Sequence, residues 1–460
     1  MILIQIIWGV GMVTFFCLFF YILKQLILKA SIKKVLAISI FISFFGFVCL
    51  NRTAFLTTWY VANILFTGML LFLSVYSISS LYKRKQIAPE IAHPLLSVSV
   101  IIVMHNEELV IRKTVENLIK LNYKKERFEI IIVDDNSTDN SIRALDGLES
   151  QIRIVCETNP DSKGKPRAIN RLVHQLTSDL ICIFDADSLP EENFLEKMIP
   201  YFNNDKTALV QGRNIQYNEQ NTIIAKLSSI DIDATHFTLI NGKNAIKGMC
   251  IFEGRGAILR RSIFIKLGGF ECDLPTEDWD YGFRCQIAGY CVFYNPEAKN
   301  WEQSVENVED FYHQRYRWLS TTILTFTKNF NDAMRSSSLS KLQKIDFFLP
   351  LAIACWSINL NLLGVLSLIN NHTAYVISTN YYILFFIIMQ FFYLFPALVK
   401  RKKILDIFYI PLMFLYYWGL SFIISFFIQE HYLLKQKLNL RKAPHYKSSL
   451  EAFKLKKNTN

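Results

Sequence analysis

Apolar residues gather toward the two ends of this chain and thin out in its middle. Long apolar runs cover residues 3–23, 35–50 and 57–80, and again 346–369, 376–399 and 404–428. Crossing a bilayer takes roughly 20 residues at 1.5 Å each, so these runs predict α-helical spans. The second run is short and also fits a re-entrant or interfacial segment. No small-residue cleavage site follows the first run and further apolar runs come after it, which argues against a cleaved signal peptide. About three transmembrane helices are expected in 1–82 and about three in 346–428, with a basic tail at 429–460.

The middle of the chain has a different period. Ser97–Val103, Glu129–Val133 and Leu180–Phe184 read as buried strands, with helices expected over 107–120 and 139–148. Strand–helix alternation predicts an α/β domain with a parallel-cored sheet, whose ligands bind beyond the C-terminal strand ends. That domain is expected over 95–320, followed by interfacial helices at 321–345.

Charge adds an orientation. The net charge is +11, from 50 Lys and Arg against 39 Asp and Glu. Many of the cations flank apolar runs: Lys24, Lys29, Lys33 and Lys34, then Lys83, Arg84 and Lys85, then Lys400, Arg401, Lys402 and Lys403. Clusters of this kind orient spans and meet anionic headgroups, so membrane lipids are expected partners and nucleic acid is not. Their alternation with the loops near Arg52 and Asn371 predicts a multi-pass plasma-membrane protein whose middle domain is cytoplasmic. For the tail the two signals disagree: its charge favours the inside, and counting six spans favours the outside. The nine cysteines form no CxxC pair and the eight histidines show no partner spacing, so neither a disulfide framework nor a zinc site is expected.

The candidate chemistry lies where the strands end. The first runs into Met104-His105-Asn106-Glu107, the second into Asp134-Asp135-Asn136-Ser137 and the third into Asp185-Ala186-Asp187. One acidic strand end is commonly a helix N-cap. Successive acidic ends on one sheet edge are harder to explain that way. Two carboxylates two residues apart, just past a strand, suit a hard divalent cation held against a diphosphate.

VSVIIVMHNEE, VDDNSTD, the GK of Lys163-Gly164-Lys165 and the DAD together resemble a family 2 glycosyltransferase with the GT-A (Rossmann-like) fold. Farther along come Phe252-Glu253-Gly254, the Thr276-Glu277-Asp278 of LPTEDWDYGFR, and Gln314-Arg315-Tyr316-Arg317-Trp318. The last is similar to the QxxRW signature of the membrane synthases of cellulose, chitin, hyaluronan and poly-N-acetylglucosamine. The resemblance implies that Asn106 and Glu107 line the nucleoside pocket, that Asp135 bonds the uracil edge and that Lys165 approaches the nucleotide. It implies that Asp185 helps bind the nucleotide, that Asp187, with Asp185, holds Mg²⁺ or Mn²⁺, and that Asp278 is the general base. Glu277 is either a direct participant or a solvated neighbour of that base. Gln314 and Arg317 would face the diphosphate. Trp318 would pack near the acceptor sugar, a role compatible with anchoring at the membrane interface. The chain departs from the pattern at His105, in an aromatic-like slot that fits either nucleotide packing or core packing. It departs again at Arg255 and Gly256, where relatives often carry small residues; this stretch, with Gly254, is expected to border the acceptor.

The function implied is inverting transfer from a UDP-sugar to a growing β-linked polysaccharide, processive and coupled to secretion. The alternative is a single transfer to a lipid acceptor. A non-catalytic transport or assembly subunit is the reading from another class, and intact Asp187 and Asp278 argue against it. The partners are a UDP-sugar donor and a polysaccharide or lipid acceptor, and this class also admits an accessory membrane subunit.

Overall fold

The computed structural model describes residues 71–81, 96–157, 164–274, 276–347, 373–428 and 445. They fall into two compact units. One contains 72–347, 391–413 and 445 of the described residues; the other contains 71, 373–390 and 414–428.

The first unit is built on an eight-stranded sheet of order β3-β2-β1-β4-β7-β6-β8-β5. The strands are β1 (Val98–Met104), β2 (Phe128–Asp134), β3 (Arg153–Cys156), β4 (Leu180–Phe184), β5 (Leu189–Pro190), β6 (Thr207–Gln216), β7 (Ala257–Arg260) and β8 (Cys291–Glu302). β3, β2, β1 and β4 run parallel, β7 is antiparallel to both β4 and β6, and β8 returns parallel to β6. This is the expected parallel-cored α/β sheet. Along β1, Val98, Val100, Ile102 and Met104 enter one core, while Ile101 enters the core on the other face. β2 and β4 divide their residues in the same way, so alternation along apolar runs buries both faces.

The helices that matter for the site are α1 (Ile111–Leu118), α2 (Lys165–Val173), α3 (Ile223–Ala234), α4 (Glu277–Ile287) and α5 (Val308–Arg335). The Thr222 hydroxyl caps α3 by accepting from Ala225 N at 3.1 Å, and the Asn307 side chain caps α5 by accepting from Asp310 N at 2.9 Å. α5 continues without a break through residue 320, so Gln314–Trp318 sit inside one long helix.

The helix expected at 139–148 is only a 3₁₀ turn at Arg143–Leu145. Asp139 instead accepts from Ser141 N at 2.9 Å and from Glu108 N at 3.2 Å, while Glu108 accepts from Asn140 N at 3.0 Å. These side chains satisfy the local backbone in a non-helical form.

The expected spans 3–23 and 35–50, most of 57–80 and nearly all of 346–369 lie outside the described residues. Helix α6 (Thr373–Arg401) covers the run at 376–399, and a 3₁₀ turn (Ile404–Tyr409) followed by α7 (Ile410–Ile428) covers the last run. Pro411 falls in the first turn of α7, where no intrahelical N–H bond is lost. Among the described residues no helix is long and apolar enough to cross a membrane.

Candidate active site

The three parallel strand ends meet as expected. Past β1, Asn106 adopts the left-handed conformation (φ 58°), and its side-chain oxygen accepts from Thr138 N at 2.7 Å. Glu107 N donates to Ser141 Oγ at 2.7 Å, which fixes the buried Glu107 carboxylate at the edge of the sheet. Past β2, Asp135 N donates to Met104 O at 2.8 Å, and Asp135 Oδ2 accepts from Gly164 N at 2.8 Å. His105 is exposed, and its Nδ1–H donates to the Asp135 carbonyl at 2.8 Å. It is therefore not a core residue.

Past β4 the two acids of the DAD separate. Asp185 accepts from Lys165 Nζ at 2.5 Å and has Arg255 Nε at 3.8 Å. Asp187 Oδ2 accepts from Gln303 N at 3.1 Å, just beyond β8. The same Lys165 donates to Gly254 O at 2.9 Å, linking the start of α2 to the loop before β7. Gly254 has φ +72°, and a Cβ there would lie 2.8 Å from Asp278 Oδ2. Both the backbone angle and the space require glycine. Lys165, Asp185, Gly254 and Asp278, each among the expected site residues, thus form one continuous cluster.

Asp278 and Glu277 open α4. Burial pushes the carboxyl of Asp278 upward, against the opposing pull of Trp279 N–H, Lys165 and Arg255. Glu277 is raised by burial first and by the neighbouring Asp278 charge second. Arg317, inside α5, is lowered by burial while the charges of Asp185, Glu277 and Asp278 act in the other direction. It therefore faces the acids of this cluster. Gln314 Oε1 is buried and finds no hydrogen-bond donor among the described residues. Trp318 lies under two guanidinium groups, Arg315 at 4.7 Å and Arg255 at 6.0 Å from the ring centre.

Two residues of the site, Glu302 and His445, have no counterpart among the expected ones. Arg255 is clamped in a two-point ion pair by Glu302, at the end of β8. His445, from the tail, has Nε2 2.9 Å from Glu107 Oε2, while its Nδ1 lies 2.9 Å from Gln303 Oε1 and 4.0 Å from Asp187 Oδ2. The strand-end reasoning used for β1, β2 and β4 would have found Glu302 had β8 been recognised. Nothing local marks His445.

Among the described residues no cluster of three or more His, Cys, Asp or Glu side chains could hold a metal by itself. The oxygens present still fit a hard cation. Asp187, whose Oδ2 takes a backbone N–H and no close cation among the described residues, is a hard oxygen donor of the kind such an ion accepts beside a diphosphate. Asp185, the other expected ligand, is paired with Lys165.

Residues 99–268 match the model of Glycosyl transferase family 2. Over that segment the chain is similar to family 2 glycosyltransferases. The matched segment spans β1 to β7, the parallel core and the antiparallel β7 included. The chain is similar to the probable glycosyltransferase YdaM of Bacillus subtilis (32% identity; 49% of this chain and 54% of that protein). It is also similar to a beta-monoglucosyldiacylglycerol synthase of Nostoc sp. (27%; 57% of this chain and 56% of that protein). A third relative is a poly-beta-1,6-N-acetyl-D-glucosamine synthase of Staphylococcus aureus (24%; 53% of this chain and 58% of that protein). The chain spans about half the length of these curated relatives. Glu277, Asp278 and Gln314–Trp318 lie beyond the segment that the family model matches, yet the fold joins Asp278 to it through Gly254 and Trp318 to it through Arg255.

Proposed function

We propose that this chain transfers a sugar from a UDP-sugar to a hydroxyl acceptor with inversion at the anomeric carbon. The observation that carries the reading is the placement of Asp278. Its buried carboxylate lies against Gly254, one hydrogen bond from the Lys165–Asp185 pair at the end of β4. A carboxylate whose proton affinity is raised by burial suits a general base that takes the acceptor proton. With one base assigned and no residue assigned as a covalent nucleophile, direct attack with inversion is the expected course.

The remaining roles follow from position. Asn106, Glu107 and Asp135 line the nucleoside side, and the exposed His105 ring, its tautomer set by the Asp135 carbonyl, offers a face to the base. Lys165 and Arg317 supply positive charge to the diphosphate as it leaves, with Gln314 offering a side-chain amide beside them. Asp187, with Asp185 two residues before it, would hold Mg²⁺ or Mn²⁺. Such an ion would add fixed positive charge beside the leaving group. Trp318, stiffened by Arg315 and Arg255, provides a flat surface for the acceptor sugar.

The acceptor we favour is a growing β-linked polysaccharide passed through the flanking spans, on the strength of the TED and QxxRW runs. The similarity to a glycolipid synthase over 57% of this chain favours a second reading, single transfer to a lipid. Incubation of purified protein with a panel of UDP-sugars decides both points. UDP release with a polymer ladder supports the first reading, one added sugar supports the second, and no release with any UDP-sugar overturns transfer itself. We further infer a multi-pass plasma-membrane location with the transferase domain on the cytosolic side, where nucleotide sugars are made. The contact of His445 with Glu107 supports a tail on that same side.

A further inference from the structure

Helix α3 meets α5 through one buried arginine. Ser228 and Asp231 stand three residues apart on α3 and so share a face. Both hold Arg315 of α5: its Nη1 lies 3.0 Å from Asp231 Oδ2, and its Nη2 donates to Ser228 Oγ at 3.0 Å. All three residues are buried. The guanidinium lies over the rings of Phe311 and Trp318, 5.5 and 4.7 Å from their centres. These residues stand four before it and three after it, which makes them its neighbours on the surface of one helix. Asp231 Oδ1 also accepts from the Tyr393 hydroxyl of α6 at 3.4 Å, and that hydroxyl is 2.7 Å from Thr235 Oγ1. Trp318 has a second cation in Arg255, whose Nε is 3.8 Å from Asp185.

A buried ion pair adds little net stability, and an apolar contact would hold α5 against α3 equally well. What this pair sets is a plane. A guanidinium stacks on an aromatic ring through its flat face, so fixing two of its nitrogens on α3 fixes the surface against which the indole rests. We propose that Ser228 and Asp231 are positioning residues for the acceptor, which hold the Trp318 indole in register with the site by locking Arg315. The inference rests on the reading of Trp318 as the acceptor surface. Through Tyr393 the same carboxylate ties that surface to α6. An acceptor held loosely leaves the donor sugar open to water. The bond from the anomeric carbon to UDP still breaks, water supplies the new oxygen and gives its proton to the base, and free sugar leaves with the UDP.

The test measures UDP release and sugar incorporation side by side in the full chain, with the UDP-sugar of the panel that supports release. Asp231→Asn keeps the shape and removes the charge. Incorporation should fall about tenfold or more, the UDP released per sugar incorporated should rise, and the donor KM should hold. Ser228→Ala should move that ratio the same way by a smaller factor. Asp231→Asn combined with Arg315→Met should be no worse than Arg315→Met alone, because both act through one guanidinium. A wild-type ratio in Asp231→Asn overturns the proposal, and so do losses that add in the double variant. Should Asp231→Asn lack a cooperative thermal transition, Ser228→Ala decides alone, and a wild-type ratio there overturns it. Trp318→Ala, measured in parallel, keeps the two questions apart. A raised ratio in Trp318→Ala beside a wild-type ratio in Asp231→Asn strikes the positioning role alone. A wild-type ratio in Trp318→Ala removes the acceptor surface, and the inference with it.

Discussion

At the scale of single residues, the site turns on a few carboxylates whose environments differ. Asp278 is raised by burial, and a base works only when ionised, so activity should fall as pH drops toward the group's raised pKa. The acid limb of kcat/KM should therefore lie above the ordinary carboxylate range of about 4. Because Glu277 and Asp278 interact, the apparent value belongs to the pair. Asp278→Asn should bind UDP-sugar normally while transfer falls about 10²-fold or more; isothermal titration beside a UDP-release assay checks both halves. Asp187 predicts a different phenotype. Asp187→Ala should fold and insert yet lose turnover, and excess EDTA should silence the wild type in the same way. Full activity in EDTA would remove the metal from the scheme. Gly254→Ala meets two obstacles, the +72° φ and a Cβ 2.8 Å from Asp278 Oδ2, so it should lose activity even where its melting curve stays cooperative.

Among the secondary-structure elements, the informative contacts join helices to the sheet. α3 presents Asp231 and Asp233 to three different segments. Arg213 of β6 pairs with Asp233 at 2.6 Å and Arg315 of α5 pairs with Asp231 at 3.0 Å. Arg401, at the end of α6, pairs with Glu219, Asp233 and Asp406. Lys403 also reaches Glu219, and Lys226 of α3 holds Asp406 at 2.6 Å. The sequence suggested that the 400–403 cluster meets lipid headgroups. In the structure Arg401, with a 3% exposed side chain, belongs to a buried ionic joint, while Lys400 and Lys402 remain exposed. Removing one member of such a joint strands its partners. Arg401→Met should cost about 3–5 kcal/mol, seen as a lower denaturation midpoint in detergent or nanodiscs. Since Arg315 stacks on Trp318, Arg315→Met should weaken acceptor binding more than donor binding.

For the whole molecule, the proposed topology makes a further prediction. In a background without native cysteines, single cysteines at positions 52 and 371 should react with an impermeant thiol reagent on intact cells. Cysteines at 84 and 402, and one at the C-terminal residue 460, should react only after permeabilisation. The choice of 402 over 401 follows from the burial of Arg401. Labelling at 84 in intact cells would place the transferase domain on the wrong side of its donor. Labelling at 460 alone would leave the domain in place and contradict the inference drawn from His445.

The chain's local patterns determined much of this unaided. Apolar runs such as Val98–Met104 and Leu180–Phe184 specify buried strands because their side chains feed both faces of a covered sheet, and that period is visible in a short window. The acids that follow such runs, Glu107, Asp135, Asp185 and Asp187, then share one edge by the geometry of parallel strands alone. Over 139–148 the local signal misled, because Asp139 and Asn140 had better partners in their own loop and in Glu108 than a helix would offer. Only the tertiary structure decided which charges meet. Arg255 finds Glu302 across β8, Arg315 finds Asp231 on α3, and His445 returns from the tail to Glu107. Such pairings have no period and no fixed spacing. They depend on where distant segments come to rest once the sheet has formed, and desolvation then makes each correct pairing matter.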